Sequence, residues 1–524
     1  MDFTTKLGML DSTIFIVYVI GLLCLAWWIS RNEKKEGKNT EDYFLASKAL
    51  PWWAIGASLI AANISAEQII GMSGSGYAIG LAIASYEWMA AITLVIVGKY
   101  MLPIFLENKI FTMPQYLEQR FDSKVKITMS IFWLAVYTFV NLTAVLWLGG
   151  MAIETVTGVD WMYGMIFLAV FSVAYSLYGG LKAVAFTDIL QVVLLVFGGL
   201  LLSYLALDAV ADGQGVLTGF GILTEQMPGH FDMILSSDNE NYMSLPGISV
   251  LIGGMWVMNF SYWGFNQYII QRALAAKNLK EAQKGIAFAA YLKLLMPLIV
   301  VLPGIAAVVL YPGLTSPDQA YPSMMALMPT GLKGLVFAAL VAAIVSSLAS
   351  MTNSISTIFT MDLYTRFKPN KTQHHYVGIG RIASLVSLCI ALVVAQPLLG
   401  KFDQAFQYIQ EFTGFFTPGI VVIFVMGMFW KRATSKGALS AALGSAIFSL
   451  VLKLAWPELP FMDRVGLVFL LCLLICFLVS MIDKQNSNDD SVSLEQVSFA
   501  TTGSFNIAAL GVILILTALY TTWW

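Results

Sequence analysis

Ser58-Leu59-Ile60-Ala61-Ala62-Asn63-Ile64-Ser65-Ala66-Glu67-Gln68, followed by Gly71, Gly74 and Gly76, crowds small, polar and ionisable residues into one segment. It lies in an apolar run, 52–72, long enough to cross a bilayer. Yet it holds an amide, a carboxylate and a second amide between positions 63 and 68. An ionisable side chain at mid-bilayer costs roughly 2.5–3.5 kcal/mol even on the lenient insertion scale. Close helix packing through small residues explains the alanines, serines and glycines, but not Asn63, Glu67 and Gln68. The stretch therefore predicts a broken helix. Loosened backbone at membrane depth is stable only where it is buried or lines a cavity.

The rest of the chain fits a membrane setting. Of 524 residues, 58% are hydrophobic and 11% charged, with a mean hydropathy of +0.77. A soluble domain carries roughly 25% charge. The net charge of -2 argues against nucleic acid as a partner, because no basic footprint exists. Fourteen apolar spans are predicted, near 12–30, 52–72, 78–105, 127–153, 160–178, 184–207, 247–271, 283–311, 333–362, 377–399, 403–430, 437–455, 463–482 and 504–522. The first precedes Arg31, Lys34, Lys35 and Lys38 and reads as a retained helix rather than a cleaved leader. Loops on one side hold 23 Lys and Arg residues and those on the other hold 5. The positive-inside rule makes the first side cytoplasmic and puts both termini outside. The loop 208–246, with six acidic residues and no Lys or Arg, is then external. Trp523 and Trp524 are expected at the outer interface.

Two further places break the apolar pattern. Glu87 and Lys293, in the third and eighth spans, each supply the counter-charge the other needs. A structural ion pair is the plainer reading. With Asn259, Tyr262, Trp263 and Gln410 on other spans, a wet polar cavity is favoured, with amides, charges and aromatic faces suited to a sugar. The ninth span contains Ser346, Ser347 and Ser350. These hydroxyls can bond back to their own helix or join freed carbonyls as hard oxygen ligands for a small cation. Cys24, Cys389, Cys472 and Cys476 all lie in apolar runs and suggest no disulfide scaffold. No catalytic triad, Walker-type loop or His/Cys metal cluster is present in the sequence, so an enzyme is not expected.

The runs Ser58–Gly76, Tyr86-Glu87-Trp88, Tyr262–Arg272, Leu292–Gly304, Ser346–Met361, Gln407–Gln410 and Phe429–Gly437 resemble the sodium/solute symporter family. The likeness is greatest to its bacterial sodium/galactose and sodium/glucose branch. The resemblance implies an all-α integral membrane protein of about 14 helices with the leucine-transporter fold, two inverted five-helix repeats around a midplane site. The repeats would be 52–207 and 247–430. An extra helix and cytoplasmic loop (1–51) would precede them, the external loop 208–246 would separate them, and three helices (431–524) would follow. The opening helices of the repeats, with Asn63 and Asn259, would both be broken.

By matching motif, Na⁺ would be held by carbonyls of Ala61, Ile64 and Ala343 and hydroxyls of Ser346 and Ser347. The sugar would contact Gln68, Glu87, Asn259, Lys293 and Gln410, with Asn63 between the sites. Tyr262, beside Trp263, would form the inner gate, and Met72, Tyr86 and Phe406 the outer gate. Asp188 would guide the released ion. The implied activity is Na⁺-coupled hexose uptake by alternating access across a bacterial inner membrane, with both termini periplasmic and a monomer sufficient. Ala90 stands where the galactose-type pattern has serine, and Ala349 where two-sodium sugar transporters have threonine. One Na⁺ per sugar is therefore expected. Other solutes of the same family (a sialic acid, a nucleoside, an amino acid) and a non-transporting sugar sensor are the alternatives.

Overall fold

The computed structural model describes residues 6–33, 50–110, 112–178, 181–400, 402, 404–483, 494 and 497–524. The lysine-bearing stretch 34–49 and most of 484–496, both expected in the cytoplasm, lie outside the described residues. The described chain is built of helices: α1 (Met9–Glu33), α2 (Trp52–Asn63), α3 (Glu67–Ala78), α4 (Leu81–Glu107), α5 (Met113–Arg120), α6 (Ser123–Thr157), α7 (Trp161–Tyr178), α8 (Leu181–Val210), α9 (Val216–Gln226), α10 (Gly254–Phe265) and α11 (Gln267–Leu274). Then come α12 (Leu279–Leu310), α13 (Leu332–Phe367), α14 (Gln373–Leu399), α15 (Ala405–Thr413), α16 (Thr417–Phe429), α17 (Ser435–Ala455), α18 (Phe461–Ile482) and α19 (Gly503–Thr522). Among the described residues, nine helices are long and apolar enough to cross a membrane, or eleven if each sharply bent pair is one span.

The predicted break is present. α2 stops at Asn63, Ile64 turns extended, and α3 leaves at 66° to α2. Its first turn, Glu67–Gly71, is wound as a π-helix, a geometry common at functional sites. The seventh predicted span is also broken: Asn266 is extended between α10 and α11. The eleventh is not the continuous helix expected. α15 and α16 meet at 46°. Gly414 and Pro418 flank the bend, and proline near a helix start cannot extend the preceding helix.

α12 is the spine of the core. It packs along both halves of the broken α2–α3 pair and against α4 and α8. Two glycines permit the approach. A Cβ on Gly285 would lie 2.9 Å from the Trp52 carbonyl oxygen, and one on Gly304 would lie 2.2 Å from that of Ser73. α12 also contains Pro297 and Pro303, which leave its ladder incomplete. Side chains of neighbouring helices bond to carbonyls in this region: Trp88 Nε1 donates to the Leu294 oxygen at 3.3 Å and Ser203 Oγ to that of Leu298 at 2.5 Å.

The termini share one face of the bundle. Asp11 Oδ1 accepts from the backbone N–H of Gly331 at 2.6 Å and Gly334 at 3.0 Å, so α1 caps the first turn of α13. Asn241 reaches the Ala78 carbonyl, while Tyr77 bonds the Gly313 amide. The Met233 amide donates to the Trp523 carbonyl, and the Trp523 ring packs on Phe231, 5.2 Å between centroids. The C-terminal indole thus packs on the acidic loop.

Replacing Gly304 by alanine should lower stability by roughly 1–3 kcal/mol, the cost of overpacking a close contact. The check is the melting temperature in detergent. Gly378→Ala, where a Cβ meets nothing within 4 Å, is the matched control.

Candidate functional site

The two helix breaks and the α15–α16 bend converge on one cavity. Its volume is about 80 Å³. Asn63, Gln68, Tyr86, Glu87, Asn259, Tyr262, Trp263, Lys293, Phe406 and Gln410 all line it. Ala90 lines it as well, where a serine hydroxyl would have projected. Of the expected outer-gate residues, Tyr86 and Phe406 meet edge to face at 5.1 Å. Met72 is fully buried and is not part of the lining.

Lys293 organises the cavity. Its Nζ donates to Glu87 Oε2 at 2.6 Å and to Asn63 Oδ1, and lies 4.9 Å from the centre of the Trp263 ring. Lys293 and Glu87 are 1% and 2% exposed, so each charge is held by the other and not by solvent. Hydrogen bonds continue from Asn63 Nδ2 to the Tyr262 hydroxyl at 3.1 Å, which also accepts from Tyr268 at 2.9 Å. Beside them, Tyr137 donates to Asn266 Oδ1 at 2.7 Å, at the second helix break. A continuous polar chain therefore runs from the ion pair to tyrosines at the α10–α11 junction.

Other acceptors lack donors. Gln68 Oε1 is buried without a hydrogen-bond partner. Glu67, which sequence reading placed at the break without a role, is buried and lines the same cavity. Glu67 and Glu87 bring two carboxyl groups to the lining and Lys293 one ammonium.

The expected sodium residues lie apart from this cavity's lining. The break ends α2 before Ala61 can be followed by another full turn, so the last carbonyls of α2 are left for other partners. Ser346 Oγ donates to Asp188 Oδ1 at 2.6 Å, whereas Ser347 Oγ is buried without a partner. Asp188 also accepts from Arg272 Nη1 at 3.0 Å. Arg272 further bonds Ser58 and, at 3.5 Å, Ser350. The positive-inside count had placed Arg272 in a cytoplasmic loop. Instead it is 2% exposed and ties α2, α8 and α13 to α11. The signal available was Asp188 itself, an acid inside an apolar span that required a counter-charge.

Residues 43–444 match the model of the sodium:solute symporter family. The chain belongs to that family. It is 51% identical to a sodium/glucose cotransporter of Vibrio parahaemolyticus, over 99% of each chain. It is 32% identical to sodium/myo-inositol cotransporter 2 of Sus scrofa, over 84% of this chain and 69% of that one. The solved structure of a Na⁺-coupled sialic acid symporter, substrate-bound and outward-open, superposes with a TM-score of 0.78 at 23% identity, over 91% of this chain and 98% of that one. That likeness shows a shared fold. This is a symporter-family membrane protein and not an enzyme.

Arg272→Gln should strand the Asp188 carboxylate and cost roughly 3–5 kcal/mol, as for other broken buried pairs. Pairing it with Asp188→Asn should recover much of that loss. Thermal unfolding of the two variants in detergent checks this. A single variant as stable as the parent would mean that water already solvates the pair.

Proposed function

We propose that this protein couples inward Na⁺ movement to hexose uptake by alternating access. The observation that carries the reading is the composition of the cavity. Its lining combines acceptors (Gln68 Oε1 and the carboxyl groups of Glu67 and Glu87) with the unpaired hydroxyls of Tyr86 and Thr413, while Lys293 is already engaged. A sugar brings hydroxyl donors to such acceptors and an apolar face for Trp263 and Tyr262. An anionic solute such as a sialic acid is disfavoured because the cavity's cation, Lys293, is already paired with Glu87. The names of the relatives agree with a polyol or hexose.

In this reading Gln68, Glu87, Asn259, Lys293 and Gln410 contact the sugar, and Asn63 links it to the ion site. Na⁺ takes the carbonyls of Ala61, Ile64 and Ala343 and the hydroxyls of Ser346 and Ser347. The free Ser347 hydroxyl and the unextended end of α2 support this assignment. Asp188 receives the departing ion, with Arg272 as its partner in the ion's absence. Tyr262 and Trp263 serve as the inner gate, and Met72, Tyr86 and Phe406 as the outer gate. Segments 52–207 and 247–430 form the inverted repeats, with 1–51 before them, 208–246 between them and 431–524 after. Adding α1, α7 and the α10–α11 pair to the long and bent spans brings the total to fourteen. The face with the termini and the acidic loop is external, so in a bacterial inner membrane both termini are periplasmic. A monomer contains every proposed ligand.

The coupling is bounded by the ion gradient. One Na⁺ crossing 100 mV down a tenfold gradient supplies about 3.7 kcal/mol, enough for roughly 500-fold sugar accumulation.

Four outcomes test the reading. In proteoliposomes, unlabelled hexoses should compete with Na⁺-dependent hexose uptake while sialic acid, nucleosides and amino acids should not. Ser347→Ala should sharply raise the Na⁺ concentration needed for uptake with the protein still inserted; an unchanged sodium dependence would remove Ser347 from the ion site. Glu87→Ala and Lys293→Ala should each abolish uptake, since each deletes a contact and leaves an unpaired charge. The reversal potential at a fixed sugar gradient should match one Na⁺ per sugar, and a two-to-one value would overturn the inference from Ala349.

A further inference from the structure

The helix carrying Phe406 and Gln410 is held in its later turns by Tyr408, whose hydroxyl donates to the Phe139 carbonyl at 2.9 Å, and by Glu411, which pairs with Lys453 and Arg464; its first turn is held differently. α15 is nine residues long. Its far end runs into the bend before α16. Gln404, at the capping position, makes no side-chain cap. Its Oε1 instead accepts from Ser75 Oγ of α3 at 2.7 Å. The cap comes from elsewhere in the sequence. Asp318, in a short turn on the loop between α12 and α13, accepts from the Ala405 backbone N–H through Oδ2 at 2.9 Å.

The placement of Asp318 is closely defined. It is 2% exposed, and its Oδ1 is buried without a partner. Gly74 of α3 lies directly against it: a Cβ there would be 2.5 Å from Oδ1 and 2.9 Å from both the Asp318 Cα and its amide nitrogen. One loop carboxylate therefore touches α3 on one side and caps α15 on the other. Phe406 is the next residue after the capped amide. Gln410 lies four residues further on the same helix face. Burying a carboxylate with an unsatisfied oxygen is costly unless its remaining bond contributes, which argues against a filler role.

We propose that Asp318 is a positioning residue for sugar binding, acting as the N-terminal cap of α15 and so fixing Phe406 and Gln410 against α3. The proposal rests on the assignment of Gln410 and Phe406 to the sugar site. Its structural half is measured without any sugar.

The test compares Asp318→Ala with Asp318→Asn in the full chain. Asparagine caps helices as well as aspartate does, so it should preserve the cap. In hydrogen exchange on the detergent-solubilised protein, Asp318→Ala should speed exchange in the first turn of α15 and leave α16 unchanged. In proteoliposomes the same variant should raise KM for the transported sugar roughly five-fold, the fold-change expected from a lost cap, with maximal rate largely retained. Asp318→Asn should match the parent in both assays. Where the alanine variant gives no monodisperse protein, Asp318→Leu refills the volume without an acceptor and carries the same expectations. Unchanged exchange in α15, an unchanged KM, or an asparagine variant as impaired as the alanine one each overturns the proposal. Local exchange that speeds up in a protein that moves no hexose would support the cap and overturn the substrate assignment instead.

Discussion

The Lys293–Glu87 pair is the constraint to which the rest of the structure answers. Neither charge is stable alone at this depth, and each is nearly sealed from solvent. Their 2.6 Å contact holds α12 against α4, and the bond from Lys293 to Asn63 adds the broken end of α2. Three helices are thus fixed at one point by an interaction that is strong only because water is excluded. Gly285 and Gly304 let α12 lie close enough to both halves of the broken pair for that geometry to exist.

The second buried pair has a different character. Asp188 and Arg272 share their hydrogen bonds with serines of α2 and α13, and one of those serines is a proposed sodium ligand. An ion arriving there has to compete for the Ser346 hydroxyl. The guanidinium can stand in for a cation when none is bound. In the cavity proposed for the sugar, by contrast, Lys293 is committed to Asn63 and Glu87.

Much of this was legible in the sequence, for a physical reason. Polar side chains cost so much in a bilayer that Asn63, Glu87 and Lys293 marked the cavity before any coordinates did. The break after Asn63 was legible because amides, a carboxylate and glycines crowded one span. Two things were not. Arg272 follows an apolar run and was counted as a loop charge, since loop counting cannot see a side chain folded back into the bundle. The Asp318 cap depends on a partner 87 residues away in sequence. Local pattern holds no trace of a hydrogen bond that long-range packing creates. The resemblance to the symporter family supplied the residue roles, which spacing alone would not have distinguished from close helix packing.

The cap that Asp11 places on α13 has a consequence for how the molecule divides into moving parts. α13 holds Ser346 and Ser347, and its first turn is tied to α1 through two amide hydrogen bonds to one carboxylate oxygen. Displacing one helix without the other would expose a buried acid and two unpaired amides. Whatever displacement accompanies ion binding must therefore carry α1 along with α13 or leave both at rest. A helix outside both proposed repeats is thus coupled to the one that carries the proposed sodium ligands.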